Sequence, residues 1–133
     1  MPSLLLYGTD EFAIARRISK IESETDKDGM NTSRLEARLT NDTDLNNAVN
    51  SMPFLADKRL VILANPSQKY GAGEPRKKFL AFLDKVPPTT LLVLTETVEA
   101  KEADKHWLVK WAAKADSANA EAMMLPKPRD MQG

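Results

Sequence analysis

Arg59-Leu60-Val61-Ile62-Leu63-Ala64 is the stretch that decides the fold. Its apolar residues run without the alternation of a half-exposed strand, so it reads as a strand covered on both faces. Thr90-Leu91-Leu92-Val93-Leu94-Thr95 is a second run of this kind, and Leu4-Leu5-Leu6-Tyr7, closed by Gly8, is a third. Amphipathic stretches of helical period lie between them. Thr9 can cap a helix from about Asp10 to Glu24, with Asp10 and Glu11 at the positive end of its dipole. Ile14, Ile18 and Ile21 share one stripe of that helix, and Arg16, Arg17 and Lys20 fall on a solvated face. A short strand is expected over Thr32–Leu35. Asn41, Asp42 or Thr43 then caps a helix striped by Leu45, Ala48, Val49 and Met52, which Pro53 ends or bends. Residues 65–74 read as a loop. Pro75 suits the first turn of a helix buried through Phe79, Leu80, Phe82 and Leu83 and stopped by Pro87-Pro88. Trp107, Leu108, Trp111, Ala112 and Ala115 stripe a helix from about Lys101 to Ala115, and Glu121–Leu125 reads as a last strand. Strand alternating with helix predicts a three-layer α/β domain: a mostly parallel five-stranded sheet with helices on both faces.

Composition narrows the chemistry. The 133 residues are 42% hydrophobic and 29% charged, which is enough to build one globular core. Nineteen basic residues balance nineteen acidic ones. A strongly basic nucleic-acid binder is therefore not expected, since such proteins neutralise phosphates with Lys and Arg. The absence of cysteine removes disulfides, thiolate metal sites and cysteine nucleophiles. His106 is the single histidine, which argues against histidine metal sites and a Ser-His-Asp triad, and its position reads as a surface one. No apolar run reaches the roughly 20 residues of a membrane span, and the N-terminus lacks the basic start of a signal peptide. A cytoplasmic protein without a membrane partner is expected, more a binding part than an enzyme.

Two places could be taken for phosphate sites. Tyr7-Gly8-Thr9-Asp10-Glu11-Phe12 links a strand to a helix, but it has one glycine, and Asp10 and Glu11 stand where Lys and Ser/Thr would be needed. Gly71-Ala72-Gly73-Glu74-Pro75-Arg76-Lys77-Lys78 also opens a helix, but Glu74 and Pro75 follow the glycine, and proline lacks the N–H donor. Neither supports a cofactor or a metal, and no catalytic residue is assigned. Ser51-Met52-Pro53-Phe54-Leu55-Ala56-Asp57-Lys58-Arg59 differs from both. It sets large apolar residues around a proline in a connection, where the chain ordinarily runs over the surface. Such a group either folds inward or is offered to a partner. Pro53 stiffens the tip, and Phe54 suits a groove on another protein. Met52 and Leu55 are expected to pack inward.

The order of segments resembles the N-terminal domain of the delta subunit of bacterial DNA polymerase III, part of the sliding-clamp loader. The residues that carry the resemblance are Leu5-Leu6-Tyr7-Gly8-Thr9-Asp10-Glu11-Phe12, Ser33-Arg34-Leu35, Met52-Pro53-Phe54-Leu55-Ala56-Asp57-Lys58-Arg59-Leu60-Val61-Ile62, Phe82-Leu83, Pro87-Pro88-Thr89-Thr90-Leu91-Leu92-Val93-Leu94 and Leu125-Pro126. The resemblance implies an AAA+-like domain over residues 1–125 that lacks a functional phosphate loop. It also implies a linker over residues 126–133 toward an absent lid, so that the chain would be a fragment. The implied function is binding and opening of the beta sliding clamp in DNA replication, without catalysis. The implied partners are that clamp and, in the full-length protein, other loader subunits, with DNA reached only through the loader. The family's adjacent apolar pair maps onto Pro53 and Phe54, flanked by Met52 and Leu55. The sequence departs from the family by placing Pro53 where some members have Leu, and by lacking an upstream Gln. A P-loop-like nucleotide-binding enzyme using residues 71–78 and a generic interaction domain are the alternative readings.

Overall fold

The computed structural model describes residues 2–126, and of the linker expected over 126–133 all but Pro126 lies outside them. Five strands, β1 (Ser3–Gly8), β2 (Thr32–Glu36), β3 (Arg59–Ala64), β4 (Thr90–Thr97) and β5 (Ala118–Ala122), form one sheet in the order β2-β3-β4-β1-β5. All four pairings are parallel. The longest apolar runs take the three inner places, where both faces are covered: Leu5, Leu6, Leu60, Leu63, Leu92 and Leu94 are fully buried. Parallel neighbours need crossovers, and six helices supply them: α1 (Glu11–Thr25), α2 (Asp42–Asn50), α3 (Ser67–Tyr70), α4 (Gly73–Leu83), α5 (Ala100–Ala103) and α6 (Trp107–Lys114).

The alternation of side chains along each strand divides the core into two layers. On one face Leu4, Leu6, Leu60, Ile62 and Val93 receive the α1 stripe of Ile14, Ile18 and Ile21. On the other, Leu5, Val61, Leu63, Leu92 and Leu94 receive Leu45 and Val49 of α2, Phe79 and Leu83 of α4, and Leu108 and Ala112 of α6. This is the three-layer α/β architecture expected. Helix α1 is also tied to both edge strands. The Arg17 guanidinium bonds both carboxylate oxygens of Glu121 on β5, at 2.7 and 3.0 Å, and Glu22 pairs with Arg34 of β2 at 2.7 Å. The Arg17 hydrogen bond holds the Glu121 carboxyl below its ordinary range.

Several local expectations are corrected. Asp10, not Thr9, caps α1: its side chain accepts from Ala13 N–H at 2.9 Å, while Thr9 Oγ1 accepts from Leu125 N–H at 3.0 Å. Arg17 is drawn off the solvated face by Glu121. The stretch 65–74 contains α3, whose Tyr70 is buried and stacks on Phe79 with ring centroids 4.4 Å apart. The helix expected over 101–115 is two helices. Lys105 and His106 close α5 with bonds to the Glu102 and Ala103 carbonyls, and His106 then takes an extended backbone and caps α6. His106 is thereby largely covered rather than a surface residue. The last strand is Ala118–Ala122, not 121–125. Its Ala-Asn-Ala-Glu-Ala sequence has little intrinsic strand preference, and it is placed by its ladder to β1.

Candidate functional site: the loop between α2 and β3

Helix α2 begins at Asn41, whose side chain accepts from Asp44 N–H at 2.7 Å. It stops at Asn50, two residues before Met52, which the following proline biases away from helical backbone. A helix end leaves its last four carbonyls without partners. Here side chains take three of them, at Asn47, Ala48 and Val49, and a fourth bonds the Asn46 carbonyl just before them. Asn50 Nδ2 donates to Asn46 O at 2.9 Å, Ser51 Oγ to Asn47 O at 2.5 Å, Arg59 Nε to Ala48 O at 2.7 Å and Thr90 Oγ1 to Val49 O at 2.6 Å. Two of these donors sit on strands, so the point where the chain leaves α2 is fixed to the sheet.

Beyond that point the loop presents its apolar side chains to solvent. Met52 is 76% exposed, Phe54 58% and Leu55 86%, with Pro53 half-buried. Phe54 is exposed as expected. Met52 and Leu55 are not packed inward, which corrects the expectation. The α2 stripe ends with Val49, so Met52 lies past its last turn. Leu55 occupies the left-handed region at φ 54°.

The loop is held from below by two residues that sequence reading passed over. Asn31, 3% exposed, faces the Phe54 backbone with its carboxamide. Phe54 N–H donates to Asn31 Oδ1 at 2.6 Å, and Asn31 Nδ2 donates to Phe54 O at 2.9 Å. Asn31 is in turn fixed at its own backbone. Its N–H donates to Asp26 Oδ2 at 2.9 Å and its carbonyl accepts from Leu60 N–H at 2.8 Å. Asp26 also accepts the Thr32 hydroxyl. Burial works against the Asp26 charge, but the hydrogen bonds from Thr32 and Asn31 outweigh it and hold the carboxyl below its ordinary range. At the far end Lys58 Nζ donates to Pro88 O at 2.9 Å. A groove of about 500 Å³ separates the end of α1 from residues 54–58, and Met30, 55% exposed, lines it beside Phe54 and Leu55. In the sequence, residues 26–31 are a polar turn like many others. Nothing local marks Asn31, because its partner lies 23 residues away.

The two phosphate-loop candidates have other arrangements. At the first, Gly8 has φ 143° and lies so close to Met123 that an added Cβ would sit 2.0 Å from its carbonyl oxygen. Asp10 N–H donates to that same oxygen at 2.9 Å, and the Asp10 side chain takes Ala13 N–H. At the second, Arg76 bonds the Gly71 carbonyl and lies over the Trp107 ring at 5.0 Å, while Lys77 pairs with Glu74 at 3.6 Å. A polar cluster missed in the sequence joins α3, β4 and α6. Glu96, 5% exposed, accepts Ser67 N–H at 2.7 Å and stands 3.6 Å from His106 Nε2. Ser67 Oγ accepts from Trp107 Nε1 at 2.9 Å. His106 Nδ1 accepts from Leu108 N–H, so this ring nitrogen caps a helix instead of being oriented by a carboxylate as in a triad. Among the described residues no three His, Cys, Asp or Glu gather where they could hold a metal ion, and no helix is long and apolar enough to cross a membrane.

Comparison with known proteins gives one family and a set of solved structures. The family model described as DNA polymerase III, delta subunit, matches residues 4–121. The Bacillus subtilis DNA clamp loader delta protein (YqeN) superimposes with a TM-score of 0.76 at 19% identity, covering 98% of this chain and 40% of that one. A DNA polymerase III gamma subunit-related protein from Thermotoga maritima gives 0.57 at 14% identity, over 98% of this chain and 43% of that one. At such identities the likeness shows the fold alone, an α/β domain with a five-stranded parallel sheet, and the chain spans about two fifths of the length of each. No curated protein matches the sequence.

Proposed function

The chain belongs to the DNA polymerase III delta-subunit family, and from that premise we propose that it is a non-catalytic clamp-loader domain that binds the beta sliding clamp through Met52, Pro53, Phe54 and Leu55. The observation that carries this reading is the exposed apolar tip whose backbone is held rigid from below. A folded domain gains nothing by exposing three large apolar side chains in a row unless another surface covers them. A tip already fixed loses little entropy on docking, so more of the apolar contact is retained as affinity. Phe54 is the anchor, and its neighbours keep water from the contact.

Opening the ring follows from differential affinity: the domain favours an open interface to the extent that it binds the open ring more tightly than the closed one. Other loader subunits and DNA would be engaged by the full-length protein in the cytoplasm, DNA only through the loader. Against nucleotide chemistry stands the β1–α1 turn. Its Asp10 and Ala13 N–H groups, which would face a phosphate, are already bonded within the protein.

Calorimetry against the purified beta clamp tests the proposal, with Phe54→Ala and an ATP titration alongside. Clamp binding that falls with Phe54→Ala, together with no heat from ATP, is the expected result. ATP binding at micromolar concentration or clamp binding indifferent to Phe54 would overturn it.

A further inference from the structure

We propose that Asn31 is a positioning residue for the clamp contact: its carboxamide locks the Phe54 backbone and so sets the direction in which the ring is presented. The inference rests on Phe54 being the anchor and adds the device that aims it. A primary carboxamide has a donor and an acceptor side by side in one plane, as a peptide group does. Phe54 N–H requires an acceptor and Phe54 C=O a donor, so these partners fix the orientation of the Asn31 amide, and both bonds form at once. The effect is a single rung of sheet-like pairing inside an otherwise irregular loop. Behind that rung the linkage to the sheet is unbroken. Asn31 is bonded through its own N–H to Asp26 and through its carbonyl to Leu60 of β3. The next residue in the loop, Leu55, sits in the left-handed region, which a leucine leaves readily unless its neighbours hold it.

Releasing Phe54 from its single backbone well would return conformational entropy to the free domain. Ordering it again on the clamp would then weaken binding by about 5- to 30-fold.

The experiment measures beta-clamp affinity for the wild type, Asn31→Ala, Phe54→Ala and the double variant, with hydrogen exchange at the Phe54 amide. Wild-type Phe54 N–H is expected to exchange much more slowly than the Leu55 and Ala56 amides, a readout that needs no variant. Asn31→Ala is expected to lose that protection and to weaken the folded domain's clamp binding by the stated factor. In the Phe54→Ala background it should weaken binding no further, because no ring remains to be aimed. Should Asn31→Ala not fold, Asn31→Asp keeps the acceptor for Phe54 N–H but removes the donor to Phe54 O, and it is read by clamp affinity in the two backgrounds rather than by exchange at the Phe54 amide. Rapid exchange at wild-type Phe54 overturns the inference. So does wild-type affinity in folded Asn31→Ala, or an equal loss in both backgrounds; either result leaves the Phe54 anchor standing. Unchanged affinity in Phe54→Ala removes the anchor itself and this inference with it.

Discussion

Truncating Phe54 to alanine separates a partner anchor from a core residue, because the two roles call for opposite effects. Phe54 is 58% exposed, so about two fifths of the residue is covered within the domain. Full burial of a phenylalanine side chain is worth about 1.5–3 kcal/mol, and two fifths of that is about 0.6–1.2 kcal/mol. The backbone bonds to Asn31 survive the substitution, because they use Phe54 N–H and C=O. The stability cost should therefore stay near 1 kcal/mol, well below the about 3–5 kcal/mol of a buried phenylalanine. Clamp binding should fall by about 2 kcal/mol or more, the scale of hot-spot truncations, which is roughly 30-fold in Kd. Urea unfolding and clamp calorimetry on one preparation measure both. A loss of 3 kcal/mol in stability, or clamp affinity equal to wild type, would refute the reasoning.

Met52→Ala should cost the fold less than about 0.7 kcal/mol by the same scaling, since Met52 is 76% exposed; urea midpoints read this directly. Leu55→Gly should leave the domain as stable or stabilise it by up to about 1 kcal/mol, because glycine takes φ 54° freely, while clamp binding weakens with the loss of the side chain. Gly8→Ala should destabilise by about 2–4 kcal/mol in thermal melts, as its Cβ would meet the Met123 carbonyl at 2.0 Å in a backbone conformation alanine avoids. In acid, Asp26 and Glu121 both have folded-state values below their unfolded ones. Their stabilisation is complete above about pH 5 and is lost as pH falls from there through the lowered values. Asp26→Asn and Glu121→Gln should each flatten that acid limb of a urea-midpoint profile, and an unchanged limb would contradict the assignment.

The inner strands were legible because continuous apolar runs as short as Leu60–Leu63 and Leu91–Leu94 have few uses other than a strand covered on both faces. The α1 stripe was legible from its spacing, and Phe54 from an apolar cluster in a connection. Four things were not. The edge strand β5 carries almost no signal of its own, since backbone pairing with β1 places it. The break at His106 depends on a side chain capping the residue two positions on, which competes locally with a continuous helical stripe. The outward position of Met52 is hidden because the helical period, extended past Asn50, places it on the buried stripe, while α2 has already ended. The support of the loop by Asn31 and Asp26 joins segments distant in the chain, and periodicity does not report such pairs.

The place of β1 in the sheet bears on how the chain is made. Strand β1 emerges from the ribosome before the other four strands of the sheet, yet it is flanked by β4 and β5, with Ser3 opposite Leu92 on one side and Ala118 on the other. At about 5–20 residues per second, its second neighbour arrives on the order of 6–23 s after Ser3 itself. Until β4 arrives, on the order of 4–18 s after Ser3, Leu4, Leu5 and Leu6 have neither edge paired, and the nascent chain carries an apolar strand with nowhere to go. Strands β2 and β3 meet much earlier, so the loop bearing Phe54 can take shape while the first strand still waits. Folding during synthesis should accordingly run from the middle of the chain outward, with closure around β1 as its last and slowest step.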